Sequence, residues 1–273
     1  MQIPCSEQEL LLMQKIGSVA DDLGMQAFII GGFVRDKILG RQTKDMDIVC
    51  VGDGIVLANE VATRLGHSNA VSVFKNFGTA QFLHHDLDIE FVGARKESYR
   101  VESRNPQVEL GTLEDDQQRR DLTINALAVC LNKEGFGTLL DPFHGIEDLQ
   151  NRCLRTPLEP SKTFNDDPLR MLRTIRFATQ LQFDIDMSTL QAIAVCKDRM
   201  AIISQERITD ELNKMIMSEK PSIGFDLLFR TKLLHLIFPQ MADLAGAQYI
   251  DGKGHKDNFY HTIQVLDNIA KHS

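Results

Sequence analysis

Asp45 and Asp47 flank Met46 at the head of an alternating stretch, Met46-Asp47-Ile48-Val49-Cys50-Val51. On a strand, residues two apart point to the same side, about 7 Å apart along the backbone, so the two carboxylates can converge. Upstream, Gly31-Gly32 lies between a buried strand, Gln26 to Ile30, and a short helix carrying Val34, Ile38 and Leu39. Glycines at such a junction let backbone N–H groups approach a phosphate that the helix dipole also favours. Two carboxylates beside a phosphate-binding turn suit two-magnesium phosphoryl transfer. Hard oxygen ligands hold the ions about 3.5 to 4 Å apart, one activating the attacking oxygen and one the leaving group. An isolated Asp-x-Asp is more often a solvated strand end, and an isolated Gly-Gly a simple turn; their succession is more specific.

A second constellation reads a base. Phe164-Asn165-Asp166-Asp167-Pro168-Leu169-Arg170 is expected to open a helix, with Pro168 in the first turn and the aspartates near the positive dipole end. Asp167 and Arg170 are three apart and share a face, which also fits an N-cap beside a structural arginine. Cytosine and adenine each offer an amino donor beside a ring-nitrogen acceptor. A carboxylate beside a guanidinium presents the complementary acceptor and donor, whereas guanine and uracil set oxygen against carboxylate and N–H against guanidinium. The pair can therefore select C and A without a nucleic-acid template.

Taken together, Gly31-Gly32-Phe33-Val34-Arg35-Asp36, Leu39-Gly40-Arg41 and Asp45-x-Asp47 closely resemble the head-domain signature of class II tRNA nucleotidyltransferases, the CCA-adding enzymes, and of bacterial poly(A) polymerases. Both belong to the polymerase beta-like nucleotidyltransferase superfamily, and the likeness covers roughly residues 25 to 270. It implies catalytic and metal-holding roles for Asp45 and Asp47. In Leu87-Asp88-Ile89-Glu90-Phe91 it implies a third acid five residues before Arg95, which is Glu90, with Asp88 as the fallback. Gly31, Gly32 and Arg35 would support the triphosphate. Arg119-Arg120-Asp121-Leu122-Thr123-Ile124-Asn125-Ala126 resembles the family's second motif, so Arg120, Asp121 and Asn125 are expected at the nucleotide ribose and phosphates. There Asp121 can accept from a 2′-hydroxyl while Arg120 donates, although a helix N-terminus capped by Asp121 fits the same string. Asp141-Pro142-Phe143-His144-Gly145 resembles a hinge motif without chemistry. The fourth motif, usually Glu-Asp-x-x-Arg, supplies the base-selecting pair, with Asp166 here in place of the commoner Glu, and Arg173 follows on the same helix.

The elements that must position these residues are legible as apolar periodicity. A helix is expected over 7–23, strands at 26–30 and 46–51, a helix over 54–65, and strands at 70–74, 79–83 and 87–92. Residues 95–120 are dense in charge and predict a mobile loop or arm. From Pro168 onward the chain is nearly all helix, with breaks at Pro221, Pro239 and Asp251-Gly252-Lys253-Gly254. The fold class is α+β: a nucleotidyltransferase head with a mixed sheet and flanking helices over 1–150, then an all-helical neck and body over 151–250. Over 251–273, His255 and His261 resemble the start of an HD-type phosphohydrolase domain, though the defining His-Asp pair is absent. The apolar side formed by Phe259, Ile263, Val265, Leu266 and Ile269 predicts a further helical domain for it to pack on.

Length and composition set the outer bounds. The chain has 273 residues, too many for one ordinary domain of about 100 to 200. Hydrophobic residues make up 43% and charged residues 25%, which excludes wholesale disorder. A net charge of -8 argues against a general nucleic-acid coat or a polybasic membrane binder. Between residues 150 and 176, however, Arg152, Arg155, Lys162, Arg170, Arg173 and Arg176 form a basic stretch that could meet RNA phosphates. No apolar run is long enough to span a bilayer, and no signal peptide is evident. Five widely spaced cysteines without a Cys-x-x-Cys pair exclude a disulfide framework or zinc ribbon, so a reducing cytoplasm is expected.

The resulting expectation is a template-independent enzyme that adds C and A to tRNA 3′ ends from CTP and ATP with two Mg2+ ions, releasing pyrophosphate. The alternatives are a bacterial poly(A) polymerase or a CC-adding or A-adding partial enzyme. An HD phosphohydrolase with a nucleotide-binding regulatory head is the alternative from another class.

Overall fold

The computed structural model describes residues 3–67, 70–75, 78–100, 103–246, 249–250, 253–254 and 257–272. As far as Gln150 the chain runs α1 (Glu7–Asp22), β1 (Gln26–Ile30), α2 (Gly32–Ile38), β2 (Asp45–Val51), α3 (Gly54–Leu65), β3 (Ser72–Phe74), β4 (Thr79–His84), β5 (Leu87–Gly93), β6 (Arg95–Arg100), β7 (Ser103–Leu110), α4 (Leu113–Gln118), β8 (Ala128–Cys130), β9 (Leu139–Leu140) and α5 (Gly145–Gln150), with a 3-10 turn at Thr123–Asn125. Two compact units result, one of Met1–Ser98 with Gln107–Gln150, the other of Tyr99–Pro106 with Asn151–Ser273.

Local signals fix the ends of these elements. Ser6 and Glu9 form a reciprocal capping box on α1, in which the Ser6 amide donates to Glu9 Oε2 at 2.8 Å. Asp53 Oδ1 accepts the Ile55 and Val56 amides at 2.8 and 3.2 Å and so starts α3. The main sheet has the order β3-β4-β5-β2-β1-β8-β9. β2 and β5 pair in parallel, and the other neighbours pair antiparallel. Phe28 and Ile30 of β1 join Val49, Ala94 and Ala128 in one buried cluster, while Ala27 and Ile29 alternate to the other face. On the sheet α1 and α3 pack against each other, and α3 covers β4 and β5.

Residues 95–120 depart from the expected loop: β6 and β7 form a two-stranded ribbon, and α4 follows. The sequence of this ribbon lacks the alternating apolar period that announces the other strands, so its pairing is not legible from pattern alone.

The second unit comprises β10 (Cys153–Leu154), α6 (Pro160–Asp166), α7 (Leu169–Leu181), β11 (Asp184–Ile185), α8 (Met187–Cys196), α9 (Gln205–Ile216), α10 (Pro221–Arg230), α11 (Leu233–Ile237), α12 (Pro239–Ala242), β12 (Tyr249–Ile250), β13 (Lys253–Gly254) and α13 (Asn258–Ala270). Pro221 and Pro239 open helices, as a residue with no N–H to satisfy can. Phe164, Leu172, Ile175, Ile193, Phe225 and Phe259 anchor one continuous core.

The apolar side of α13 finds its partner inside this unit. Phe259 stacks on Phe229 of α10 with ring centroids 4.6 Å apart, Ile263 is buried, and Asp267 accepts both the amide and hydroxyl of Ser222. Those residues need no further domain to cover them, while Val265 and Ile269 stay exposed. His261 is exposed on α13, and His255 lies outside the described residues. All five cysteines are free. Among the described residues no helix is long and apolar enough to cross a membrane.

Candidate active site

Along β2 the side chains alternate: Met46 and Ile48 are buried, Asp45 is exposed and Asp47 half-buried. The parallel neighbour β5 repeats the pattern, with Ile89 and Phe91 buried and Asp88 and Glu90 exposed. In register, Asp45 lies opposite Asp88 and Asp47 opposite Glu90. Cross-strand partners share a face, so four carboxylates form a two-by-two array on one side of the sheet. Desolvation by the neighbouring side chains, then the charges of Asp47 and Asp88, push the Glu90 carboxyl up against a smaller opposing effect of Arg95. Such crowding is what a bound cation relieves.

The donors suit magnesium in kind, since all are hard carboxylate oxygens at an exposed strand face. Among the described residues, however, no three His, Cys, Asp or Glu side chains converge tightly enough to hold an ion by themselves. That also suits magnesium, which commonly takes one or two carboxylates and completes its octahedron with water and substrate phosphates.

The glycine turn is brought to the same place by strand register. Ile30, the last residue of β1, lies opposite Asp47, so the chain turns at Gly31 beside that carboxylate. Gly31 has φ +80° and caps α2. A Cβ there would lie 2.8 Å from Arg120 Nη1 and 3.5 Å from Asp47 Oδ2, so the positive φ favours glycine and a side chain would displace the Arg120 guanidinium. Gly32 begins α2, within reach of Arg35.

Behind the turn lies a buried polar web. Arg35 Nε and Nη2 donate to the two Asp36 oxygens at 2.9 and 2.8 Å, and Nη1 donates to Asn125 Oδ1 at 2.7 Å. Asn125 Nδ2 in turn donates to Asp121 Oδ1 at 2.9 Å, which also accepts the Leu122 amide. Arg35, Asp121 and Asn125 are all buried. The structure thus gives these residues a shared task that the sequence did not reveal: they lock the glycine turn to the 3-10 turn ninety residues away. The hinge motif joins them. Gly145 packs so closely that a Cβ would lie 2.5 Å from the Thr123 carbonyl, and Asp148 accepts the Thr123 hydroxyl at 2.7 Å.

Sequence reasoning missed Asp116. It is fully buried on α4, where Arg120 donates to its Oδ2 from Nε and Nη2 at 3.1 and 3.0 Å and Arg119 grips Oδ1. Burial would raise its carboxyl, but Arg120 and Arg119 hold it below the usual range. The signal was available: an acid three and four residues ahead of two arginines has an ion-pair spacing, here across the end of α4.

In the second unit, Asp167 and Arg170 do not sit within one helix. Asp166 ends α6, Asp167 occupies the break, and Pro168 caps α7. Asp167 Oδ1 accepts the Leu169 amide at 3.1 Å, and the Arg170 amide donates to the Asp167 carbonyl at 3.0 Å. The two residues therefore share the first turn of α7, with Asp167 half-buried and Arg170 buried, its Nη1 donating to the Thr163 carbonyl at 3.4 Å.

The expected basic stretch is thinner than its composition. Arg176 is buried, donating to Glu211 Oε2 at 2.6 Å and lying over the Phe177 ring at 4.0 Å, so it serves the core. Arg173 is half-buried, 5.7 Å from the same ring centroid. Arg155 faces Asp186 at 3.7 Å, while Arg152, Arg155 and Lys162 are exposed.

Comparison with known proteins gives the family to which this fold belongs. Residues 27–155 match the family described as the Poly A polymerase head domain, and residues 182–244 match the probable RNA and SrmB-binding site of polymerase A. Neither match reaches the 251–273 segment, so the HD-type reading gains no support from them. The A-adding tRNA nucleotidyltransferase of Geobacter sulfurreducens is 35% identical over 263 residues, covering 95% of this chain and 28% of its own length. The mitochondrial CCA tRNA nucleotidyltransferase of Candida glabrata is 35% identical over 89% of this chain and 48% of its own. Among solved structures, an apo CCA-adding enzyme superposes with a TM-score of 0.79 at 28% identity, covering 92% of this chain and 60% of that one. A tRNA nucleotidyltransferase complexed with a primer tRNA and an incoming ATP analog gives 0.72 at 32% identity, over 84% and 66%. This chain spans less than two thirds of each of these relatives. On the head-domain match, the shared fold and the run of tRNA nucleotidyltransferase relatives, the chain belongs to the Poly A polymerase head-domain family of nucleotidyltransferases.

Proposed function

We propose that this protein is a template-independent tRNA nucleotidyltransferase that extends the 3′ end with C and A, using CTP and ATP and releasing pyrophosphate. The observation that carries the reading is the carboxylate array of Asp45, Asp47 and Glu90 set beside the Gly31 turn. Asp45 and Asp47, with Glu90 assisting, would hold magnesium, which when bound supplies charge neutralisation and activation of the attacking oxygen. The terminal 3′-hydroxyl attacks the α-phosphorus and pyrophosphate leaves. Gly31 and Gly32 allow the triphosphate close to backbone amides at the start of α2, and Arg35 keeps that turn rigid through Asp36 and Asn125. Arg120 donates to oxygens of the ribose and phosphates, with Asp121 and Asn125 fixing the loop behind it. In the second unit Asp167 and Arg170 offer the acceptor and donor that cytosine and adenine match, and Arg173 is the next arginine on that helix. The partner is the tRNA acceptor end, and the compartment is the cytoplasm.

Relatives named as A-adding enzymes favour a second reading, in which this protein adds A only. Incubating the full-length protein with tRNA transcripts ending before CCA, after C and after CC, each with single NTPs, followed by sequencing of the 3′ ends, separates the two. The main reading expects growth of all three transcripts to CCA. Growth of the CC-ended transcript alone selects the A-adding reading, long A runs select a poly(A) polymerase, and no growth of any transcript overturns the proposal.

A further inference from the structure

Arg120 has five N–H donors, and three are committed: Nε and Nη2 to Asp116 Oδ2, and Nη1 to the Asn125 carbonyl at 3.3 Å. The remaining two lie one on each Nη atom. Asp116 itself has no access to solvent and hence none to a substrate. A fully buried carboxylate is costly unless compensated, and here two arginines compensate it. What distinguishes the arrangement from a generic buried ion pair is its direction. With Nε and Nη2 on one oxygen and Nη1 on the Asn125 carbonyl, the guanidinium is held in one orientation, with Nη1 2.8 Å from the point a Gly31 Cβ would occupy. Asp47 Oδ2 lies 3.5 Å from that same point, so this edge of Arg120 borders both the glycine turn and the carboxylate array.

We propose that Asp116 is a positioning residue of the nucleotide site: acting through Arg120, it holds one edge of the guanidinium at the Gly31–Asp47 junction, where sugar and phosphate oxygens of the incoming nucleoside triphosphate bind. The proposal rests on the nucleotide-transfer reading above. It adds Asp116, a residue outside the glycine and carboxylate motifs, to the nucleotide-binding machinery. Arg119 completes the clamp from the other oxygen and keeps Asp116 from swinging away from Arg120.

The test is steady-state incorporation of ATP and CTP into truncated tRNA by the full-length wild type and by Asp116→Asn, Asp116→Glu, Arg120→Lys and Thr112→Ala. Thr112→Ala removes the N-cap of α4, whose hydroxyl accepts the Asp115 amide at 3.2 Å, and so loosens the helix without touching the clamp. The Asp116 variants and Arg120→Lys are expected to raise KM for the nucleotide about tenfold, and the Asp116→Glu/Arg120→Lys double variant no further, because the two residues act as one unit. Thr112→Ala is expected to leave KM unchanged. If Asp116→Asn fails to fold, Asp116→Glu, which keeps the charge, decides the matter. A folded Asp116→Glu protein with wild-type KM, additive effects in the double variant, or an equal rise in Thr112→Ala would overturn the proposal. Failure of the parent reading looks different: the wild type then incorporates nothing. In that case equilibrium dialysis with ATP still reads Asp116, a tenfold weakening in Asp116→Glu supporting the role and unchanged binding rejecting it.

Discussion

Gly31 and Asp167 show how much of a site one residue can fix. At Gly31 a positive φ and the close approach of Arg120 meet in one position, where any side chain is strained and displaces the guanidinium. The sequence shows the glycine and the aspartate, but the approach of Arg120 is a tertiary fact that no spacing announces. Asp167 lies in the break between two helices, with one oxygen already accepting the Leu169 amide. Replacing it by Ala should cost about 1 kcal/mol of stability through the lost hydrogen bond to the Leu169 amide. The larger effect should be on selectivity: preference for CTP and ATP over UTP and GTP, read as the ratio of kcat/KM values, is expected to fall about 10- to 100-fold. Unchanged ratios in the folded variant would remove Asp167 from base selection. The carboxylate types and the Asp167–Arg170 spacing were readable because their chemistry is local. The commitments of Arg35, Asp121 and Asn125 to one another were not, because their partners lie far along the chain.

Elements with an apolar period were legible, and those held by polar contacts were not. β1, β2, α1 and α3 follow their buried alternation or stripe to within a residue or two. The β6–β7 ribbon and the short helix α6 escaped, the first because its sequence lacks an apolar period and the second because only Thr163 and Phe164 of it are buried. For α4 the consequence is measurable. Asp116 has its carboxyl held below the unfolded range, so its stabilising contribution is fully present above the unfolded carboxylate pKa of about 3.9 and is lost as pH falls through the lower folded value. Asp116→Asn should lower stability at neutral pH by about 1.5 to 3 kcal/mol, since two half-buried guanidiniums lose charge-assisted hydrogen bonds to a buried carboxylate. Its stability should then fall less steeply than the wild type's as pH drops below about 4. Denaturant titrations at pH 7 and at successive acid steps read both effects, and parallel acid limbs would show that the Asp116 carboxylate is not held by the arginines.

For the molecule as a whole, a net charge of -8 taken alone weighs against an RNA partner. Several of those acids are in fact spent locally: four crowd the β2–β5 face, Asp116 and Asp36 pair with arginines, and Glu211 takes Arg176 out of the basic stretch. Charge totals therefore misjudge a protein whose acids form its proposed catalytic face and whose arginines in part serve its core. The α+β class and the order of elements were legible from composition and period, whereas the web that binds Gly31 to Arg120 and Asn125 required the fold. The central claim is that the Asp45–Asp47 face is a nucleotidyl-transfer centre. Its most direct test is single-turnover incorporation of one nucleotide into truncated tRNA by wild type, Asp45→Ala and Asp47→Ala, with melting temperatures recorded alongside. The account predicts a loss of about 1,000-fold or more in each variant with the melting temperature preserved, as removal of a group that stabilises developing charge requires; turnover within about tenfold of wild type in a folded variant would contradict it.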